Sequence, residues 1–205
     1  MKALIICNGE PLQKEGLISL AKSCDLVIAA DGGANVALSN GLTPDVIIGD
    51  MDSFTSPHPE SLKILYDPDQ ETNDLEKALE YALTNKIGNV IISGATGKRT
   101  DHALKNFSVQ LKYATKFRSI LMIDNMFQYE IIINQISQKV EKGTVISLFP
   151  LSGKVDGITT EGLKYSLKNE SLENGVRDGS SNVAIANEIK ISVDTGALLL
   201  MTERR

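Results

Sequence analysis

The sequence predicts an α/β fold, a doubly wound and mostly parallel sheet, followed by a smaller all-β, sandwich-like domain. Three observations predict it. Over the first part of the chain, short apolar runs alternate with amphipathic stretches. Those runs end in glycine and polar residues. Beyond about residue 127, helical spacing fades into short apolar stretches separated by Gly, Asn and Ser clusters. The expected domains are 1–127 and 128–205.

Residues 3–7 are continuously apolar and end at Asn8-Gly9, as a strand buried on both faces would. A helical segment follows, and then a second run, Leu26 to Ala30, ends at Asp31-Gly32-Gly33. The third run, Val46-Ile47-Ile48, ends at Gly49-Asp50-Met51-Asp52. From Leu75 the apolar residues fall at 75, 78, 79, 82 and 83, one face of a helix. A fourth run, Val90-Ile91-Ile92, ends at Ser93-Gly94. A second amphipathic stretch begins near Thr100 and leads to Ile120-Leu121-Met122-Ile123. In the C-terminal part, 129–133, 145–149 and 197–201 read as strands, and Gly162-Leu163-Lys164-Tyr165-Ser166-Leu167 alternates in strand fashion. Ligands of open α/β sheets bind outside the carboxyl ends of the strands, so the polar run ends mark the expected site.

A chain of 205 residues buries one sizeable core or two small ones, and 42% apolar with 23% charged residues is ordinary for a soluble globular protein. The net charge is -5 and no basic run stands out, which disfavours binding along a nucleic acid backbone. A polyanion can still bind where divalent cations supply the missing charge. Cys7 and Cys24 form no Cys-x-x-Cys pair and there are two histidines, so a structural zinc site is not expected and both thiols read as buried and reduced. The first seven residues are too short an apolar run for a signal peptide, and no run could span a membrane. The expected setting is the cytoplasm.

Asp50 and Asp52 sit two apart directly after a buried strand, so in extended chain both carboxylates project to one side. Their mutual repulsion is relieved by a hard cation, and Mg²⁺ takes one or two carboxylates plus phosphate oxygens and waters. The same pair also suits a turn that caps the next helix. Asp31 ends the second strand; Asp74 lies in a first helical turn, with Asn73 as N-cap and Glu76 completing a capping box; Asp101 follows Thr100 at another helix start. Acids at four strand or helix ends on one sheet edge suggest a polycarboxylate site for one or two divalent ions. The loop Gly94-Ala95-Thr96-Gly97-Lys98-Arg99-Thr100 offers backbone N–H groups and two cations to phosphate oxygens. It is no P-loop, because Ile92 stands where the first glycine belongs and Arg99 where Ser or Thr should follow the lysine. Asp31-Gly32-Gly33-Ala34-Asn35 lacks the dinucleotide spacing but permits close backbone approach to a ligand. Gly179-Ser180-Ser181-Asn182 reads as a polar turn. His102, beside Asp101, stays outside the catalytic set, and nothing marks His58, between two prolines, as functional.

Five segments together resemble the thiamine pyrophosphokinase family over nearly the full length. They are Ala30-Asp31-Gly32-Gly33-Ala34-Asn35, Pro44-Asp45 through Gly49-Asp50-Met51-Asp52-Ser53, Asp69-Gln70 through Asn73-Asp74, the loop from Gly94 to Asp101, and Gly162-Leu163-Lys164-Tyr165 with Ser180-Ser181-Asn182. The resemblance implies an N-terminal α/β domain binding ATP and Mg²⁺, a C-terminal β domain binding thiamine, and a homodimer with thiamine near the subunit interface. It assigns Asp50, Asp52, Asp74 and Asp101 to Mg²⁺ and the ATP phosphates, with Asp31, Gly32, Gly33 and Asn35 nearby. Arg99 and Lys98 fall at the phosphates, Gln70 and Asn73 near the substrates, and Ser180, Ser181, Asn182 and Tyr165 at thiamine. Two departures stand out. Many relatives have Thr where Asn73 stands, and many have Trp where Tyr165 stands; this tyrosine reads equally as a stacking residue or an inward-facing strand residue.

The implied reaction moves a pyrophosphoryl group from ATP to the hydroxyl of thiamine and releases AMP. A phosphohydrolase with Asp50 as nucleophile is the rival enzyme, but Phe54 replaces the hydroxyl-bearing residue usual two positions after the second acid. A thiamine or nucleotide sensor is the non-enzyme rival, which would not need a full set of acids.

Overall fold

The computed structural model describes residues 1–55 and 62–205; His58 lies outside the described residues. The chain divides into two compact units, Met1–Asn125 and Met126–Arg205.

In the first unit the apolar runs become parallel strands. The first four strands are β1 (Lys2–Ile6), β2 (Leu26–Ala30), β3 (Val46–Gly49) and, outside those runs, the short β4 (Ile64–Tyr66). Helices α1 (Lys14–Lys22) and α2 (Gly33–Ser39) lie between them, and α3 (Asp74–Thr84), β5 (Asn89–Ser93), α4 (Thr100–Tyr113) and β6 (Ser119–Ile123) follow. The strand order is β6-β5-β1-β2-β3-β4, with all pairings parallel. Strand β4 has three residues and only partial burial, too little apolar signal to be read in advance.

Residues of β1 alternate between two buried faces. Leu4 and Ile6 pack with Leu17 and Ala21 of α1 and Ala37 of α2. Ala3 and Ile5, pointing the other way, are equally buried. Helix α3 packs on β1, β2, β3 and α4. The chain runs outward from β1 to β4 and then returns to β5 on the other side of β1. The sheet's order therefore reverses between β1 and β5, the place where open α/β sheets hold ligands.

The second unit is a sandwich of two antiparallel sheets. One has the order β12 (Gly179–Val183), β9 (Val145–Pro150), β14 (Leu198–Glu203), β7 (Phe127–Ile132); the other is β11 (Glu170–Leu172), β10 (Val155–Glu161), β13 (Glu188–Ser192), β8 (Gln135–Lys139). Its core draws Ile146, Leu148, Leu198 and Leu200 from the first sheet and Val155, Ile158, Ile189 and Ile191 from the second. The alternating stretch at 162–167 is not a strand. Leu163 and Leu167 reach the same core from an irregular segment, and Leu163 makes only an isolated bridge to Ala184. Tyr165 is consequently not an inward-facing strand residue: it is 63% exposed.

Candidate active site

Adjacent strands deliver the acids. The parallel register sets Ala30 beside Ile48, so Asp31 after β2 and Gly49 at the end of β3 are neighbours. A Cβ on Gly49 would sit 2.7 Å from the Asp31 Cβ and 3.0 Å from the Asp74 Oδ1. Glycine is what lets these two carboxylates approach. Asp31 and Met51 have left-handed backbones (φ 41° and 63°), which sharpen the turns leaving both strands.

Asp31, Asp50 and Asp52 each place a carboxylate oxygen within 4.8 Å of the others. Asp31 is 3% exposed; its Oδ2 accepts the Ser53 N–H at 3.1 Å, while its buried Oδ1 has no partner. Burial pushes the Asp31 carboxyl above the ordinary carboxylate range, against the lowering effect of the Gly32 and Ser53 donors. Asp50 accepts the Gln70 amide at 2.9 Å and the Asp52 N–H at 3.2 Å. The first of these does most to hold its pKa low. Asp52 accepts the Ser53 hydroxyl at 2.8 Å. The local turn is thus real, yet it does not cap a helix.

Asp74 begins α3, and its pKa is pushed up to about 6, first by desolvation and then by the Asp31 charge. The ammonium of Lys77, 3.7 Å away, opposes that shift while donating to the Asp67 carbonyl at 2.8 Å. Sequence reading missed Lys77, whose only signal was its position three residues after Asp74 on one helical face. Asn73 caps α3 as expected, accepting the Glu76 N–H at 3.0 Å. Its side-chain carbonyl is committed to that cap. The reciprocal half of the capping box is absent: the buried Glu76 carboxylate pairs with Lys112 of α4 and lies 3.5 Å from the Tyr113 hydroxyl. Lys112, reaching across from α4, gives the buried acid a stronger partner than its own helix end.

The loop after β5 faces the loop after β1. Gly9 N–H donates to the Gly94 carbonyl at 2.6 Å, and a Cβ on Gly9 would fall 2.3 Å from that oxygen. Lys98 donates to the Asn8 carbonyl at 2.9 Å and to its side-chain oxygen at 3.3 Å, so this lysine ties the two loops together. Asp101 is not in the three-acid group. It binds Arg99 through two hydrogen bonds, 3.1 and 2.5 Å, and that guanidinium holds its pKa down at about 2. Cys7, Asn8, Asp31, Ser53, Asp74, Lys98, Arg99 and His102 line one cleft of about 320 Å³. Burial raises the Cys7 thiol to about 12, so it is inert at neutral pH. Gly32 and Gly33 open the short α2, and Asn35 on that helix donates to the Ser53 carbonyl at 2.7 Å and accepts the Thr55 N–H at 3.1 Å, fastening the loop after β3.

In the second unit the polar tetrad is strand β12, not a turn. It carries a bulge between Gly179 and Asn182, with Ser181 at φ 58°. Ser180 and Ser181 are exposed. Asn182 is buried and brackets the backbone of Tyr165, accepting its N–H at 3.0 Å and donating to its carbonyl at 2.7 Å. It thereby holds Tyr165 outward, with the Lys164 ammonium 5.3 Å from the ring centroid.

Carboxylates at the ends of neighbouring parallel strands, beside a glycine-rich loop carrying cations, define an α/β enzyme that handles phosphate, with a β-sandwich attached. The comparisons with known proteins narrow this class. Residues 17–122 match the family model "Thiamin pyrophosphokinase, catalytic domain", and residues 113–198 match "Thiamin pyrophosphokinase, vitamin B1 binding domain". The chain is 30% identical to a thiamine pyrophosphokinase of Bacillus subtilis over 92% of this chain and 90% of that one. It is 27% identical to thiamine pyrophosphokinase 1 of Oryza sativa, over 87% and 79% respectively. A crystal structure of the enzyme from Bacillus subtilis superposes with a TM-score of 0.83 at 25% identity, covering 99% of each chain. One from Geobacillus thermodenitrificans gives 0.84 at 23% identity, covering 100% of this chain and 98% of that one. The chain belongs to the thiamin pyrophosphokinase family.

Proposed function

We propose that the protein transfers the pyrophosphoryl group of ATP to the hydroxyl of thiamine, giving thiamine pyrophosphate and AMP, with Mg²⁺ held by Asp31, Asp50, Asp52 and Asp74. The observation that carries the site is the convergence of three carboxylates within 4.8 Å, one of them with an unpartnered buried oxygen. The residues fit a hard divalent cation: all donors are carboxylate oxygens, and Asp31 and Asp74 are held at raised pKa until a positive charge arrives. Mg²⁺ supplies neutralisation of phosphate charge there.

The chain's own residues do the positioning. Gln70 orients the Asp50 carboxylate, and Ser53 orients Asp31 and Asp52. Arg99, exposed at the start of α4, exchanges Asp101 for phosphate oxygens when ATP binds, and so steadies charge during in-line attack. Asp101 then acts through Arg99, in place of the direct metal contact that the family resemblance implied. The thiamine hydroxyl is itself the nucleophile, so no covalent intermediate with the enzyme is needed. We assign ATP handling to 1–127 and thiamine recognition to 128–205. Exposed Tyr165 offers a ring face to the cationic thiamine, and exposed Ser180 and Ser181 offer hydroxyls. The working form proposed is a cytoplasmic homodimer, the dimer being what the family resemblance implies. Among the described residues no helix is long and apolar enough to cross a membrane.

The test is to incubate protein, MgATP and thiamine and to identify both products, with an EDTA control and light scattering for the oligomeric state. AMP and thiamine pyrophosphate are expected, only when thiamine and metal are both present. ADP as the product, or phosphate release without thiamine, would overturn the assignment.

A further inference from the structure

A run of side-chain hydrogen bonds joins the two halves of the cleft. Asn106 of α4, 8% exposed, donates from Nδ2 to the Ala95 carbonyl at 2.8 Å. Its Oδ1 accepts from Asn73 Nδ2 at 2.9 Å, and Asn73 Oδ1 accepts the Glu76 N–H at 3.0 Å. Donor and acceptor alternate at each step. Reversing either amide would set oxygen against oxygen or N–H against N–H, so the polarity of the whole relay is fixed. One end lies in the loop that carries Arg99, and the other is the cap that starts α3 at Asp74. No catalytic atom belongs to the relay, yet Asp74 and Arg99, two of the groups placed at the phosphates, hang from it.

We propose that Asn106 is a positioning residue that sets the register between Arg99 and Asp74 through its bonds to Ala95 and Asn73. This rests on the reading of Asp74 and Arg99 as the groups that handle the ATP phosphates. The loop has left-handed backbone at Gly94, Gly97 and Lys98 (φ 70°, 75° and 43°); Gly94 and Lys98 tie it to the loop after β1, and the Asn106–Ala95 bond ties it to α4. Without Asn106 the Ala95 carbonyl, on a residue 3% exposed, loses its side-chain donor, and the Asn73 amide becomes free to turn. A misplacement of about 1 Å at a reacting phosphate costs on the order of a hundredfold in rate.

The variants are Asn73→Ser, Asn106→Ala and the double substitution. Serine keeps an oxygen for the helix cap but is too short to reach Asn106, so this variant cuts the relay while leaving α3 started. Each single change is expected to lower kcat by roughly tenfold to a hundredfold, with KM for thiamine held within about threefold. The double variant is expected to be no slower than the worse single one, because both cut the same relay. A merely structural role would lower Tm and leave the kcat of the folded protein unchanged; that result overturns the proposal. So does full additivity. If Asn106→Ala does not fold, Asn73→Ser decides alone. Asp74→Asn separates the two levels: if it keeps turnover, the reading of Asp74 fails, whereas if it loses turnover and Asn73→Ser does not, only the relay fails.

Discussion

Asp74→Asn is expected to be inactive with MgATP and thiamine, yet more stable than wild type when both are metal-free. Asp74 is held at a pKa of about 6 against an ordinary 3.8, and at 1.36 kcal/mol per pKa unit its ionisation at neutral pH costs the folded state about 3 kcal/mol. The side chain is 37% exposed, so solvent screening reduces this to about 1–2 kcal/mol. An acid in the first turn of α3 also gains about 0.3–1 kcal/mol from the helix dipole, which the amide forfeits. The net gain is about 1 kcal/mol, or roughly 2–4 °C in Tm for a chain of this size. The sign follows from the raised pKa: the protonated acid's contribution is fully present below about pH 4 and is lost as pH rises through about 6. The variant's advantage should therefore be flat above about pH 6 to 7 and shrink towards pH 4. Thermal unfolding in EDTA across that range measures it, and Mg²⁺ should then raise the Tm of wild type but not that of the variant. An unchanged or lower Tm for Asp74→Asn in EDTA at neutral pH would refute the account of Asp74 as a like-charge, desolvated acid awaiting a cation.

Three further outcomes are expected. Gly49→Ala puts a methyl 2.7 Å from the Asp31 Cβ and 3.0 Å from the Asp74 Oδ1; forcing those acids apart should cost about 1–3 kcal/mol in stability and at least about tenfold in the Mg²⁺ dependence of kcat/KM. Lys112→Ala strands a Glu76 side chain that is 4% exposed and should cost about 2 kcal/mol by denaturant midpoint. Glu76→Gln should cost less, because it removes the buried charge and leaves unpaired only a lysine that is 56% exposed. Tyr165→Ala should stay within about 0.5 kcal/mol of wild-type stability, since the ring is 63% exposed, but should raise KM for thiamine about threefold, which steady-state kinetics would show.

The α/β unit was legible because a parallel strand buried on both faces leaves a continuous apolar run and ends where the chain must turn. Leu26 to Ala30 and the run ending at Gly49 carried that signal, and so the acids following them could be placed on one edge. Short β4 lacked it, and the 162–167 segment mimicked it: Leu163 and Leu167 are core residues spaced by exposed ones without any ladder partner to make a strand. The grouping of Asp31, Asp50 and Asp52 was legible from their positions after strands, and the place of Arg99 at the cleft from its loop. Asn8 and Asn106 were not, because their side-chain contacts are with partners 90 and 33 residues away, set by packing. Asp101 shares with Asp74 a place at a helix start, but its pairing with Arg99 two residues earlier could not be read from that position.

The two acids at helix starts show how one sequence pattern yields two chemistries. Asp74 opens α3 beside Gly49, where the missing side chain lets Asp31 crowd it and burial removes its water; its charge is unfavourable until a cation comes. Asp101 opens α4 on an exposed surface, with a guanidinium already bound and a pKa of about 2. An ion pair exposed on both sides is worth little as stability, so keeping it there costs the fold almost nothing. It holds the Arg99 planar fork in a two-bonded geometry, which on the proposed reading phosphate oxygens would take over. On the proposed reading, Asp31 and Asp74, whose pKa values are raised by burial, favour a cation because their charges are unfavourable without one. Asp101, already paired, would instead keep the arginine in place.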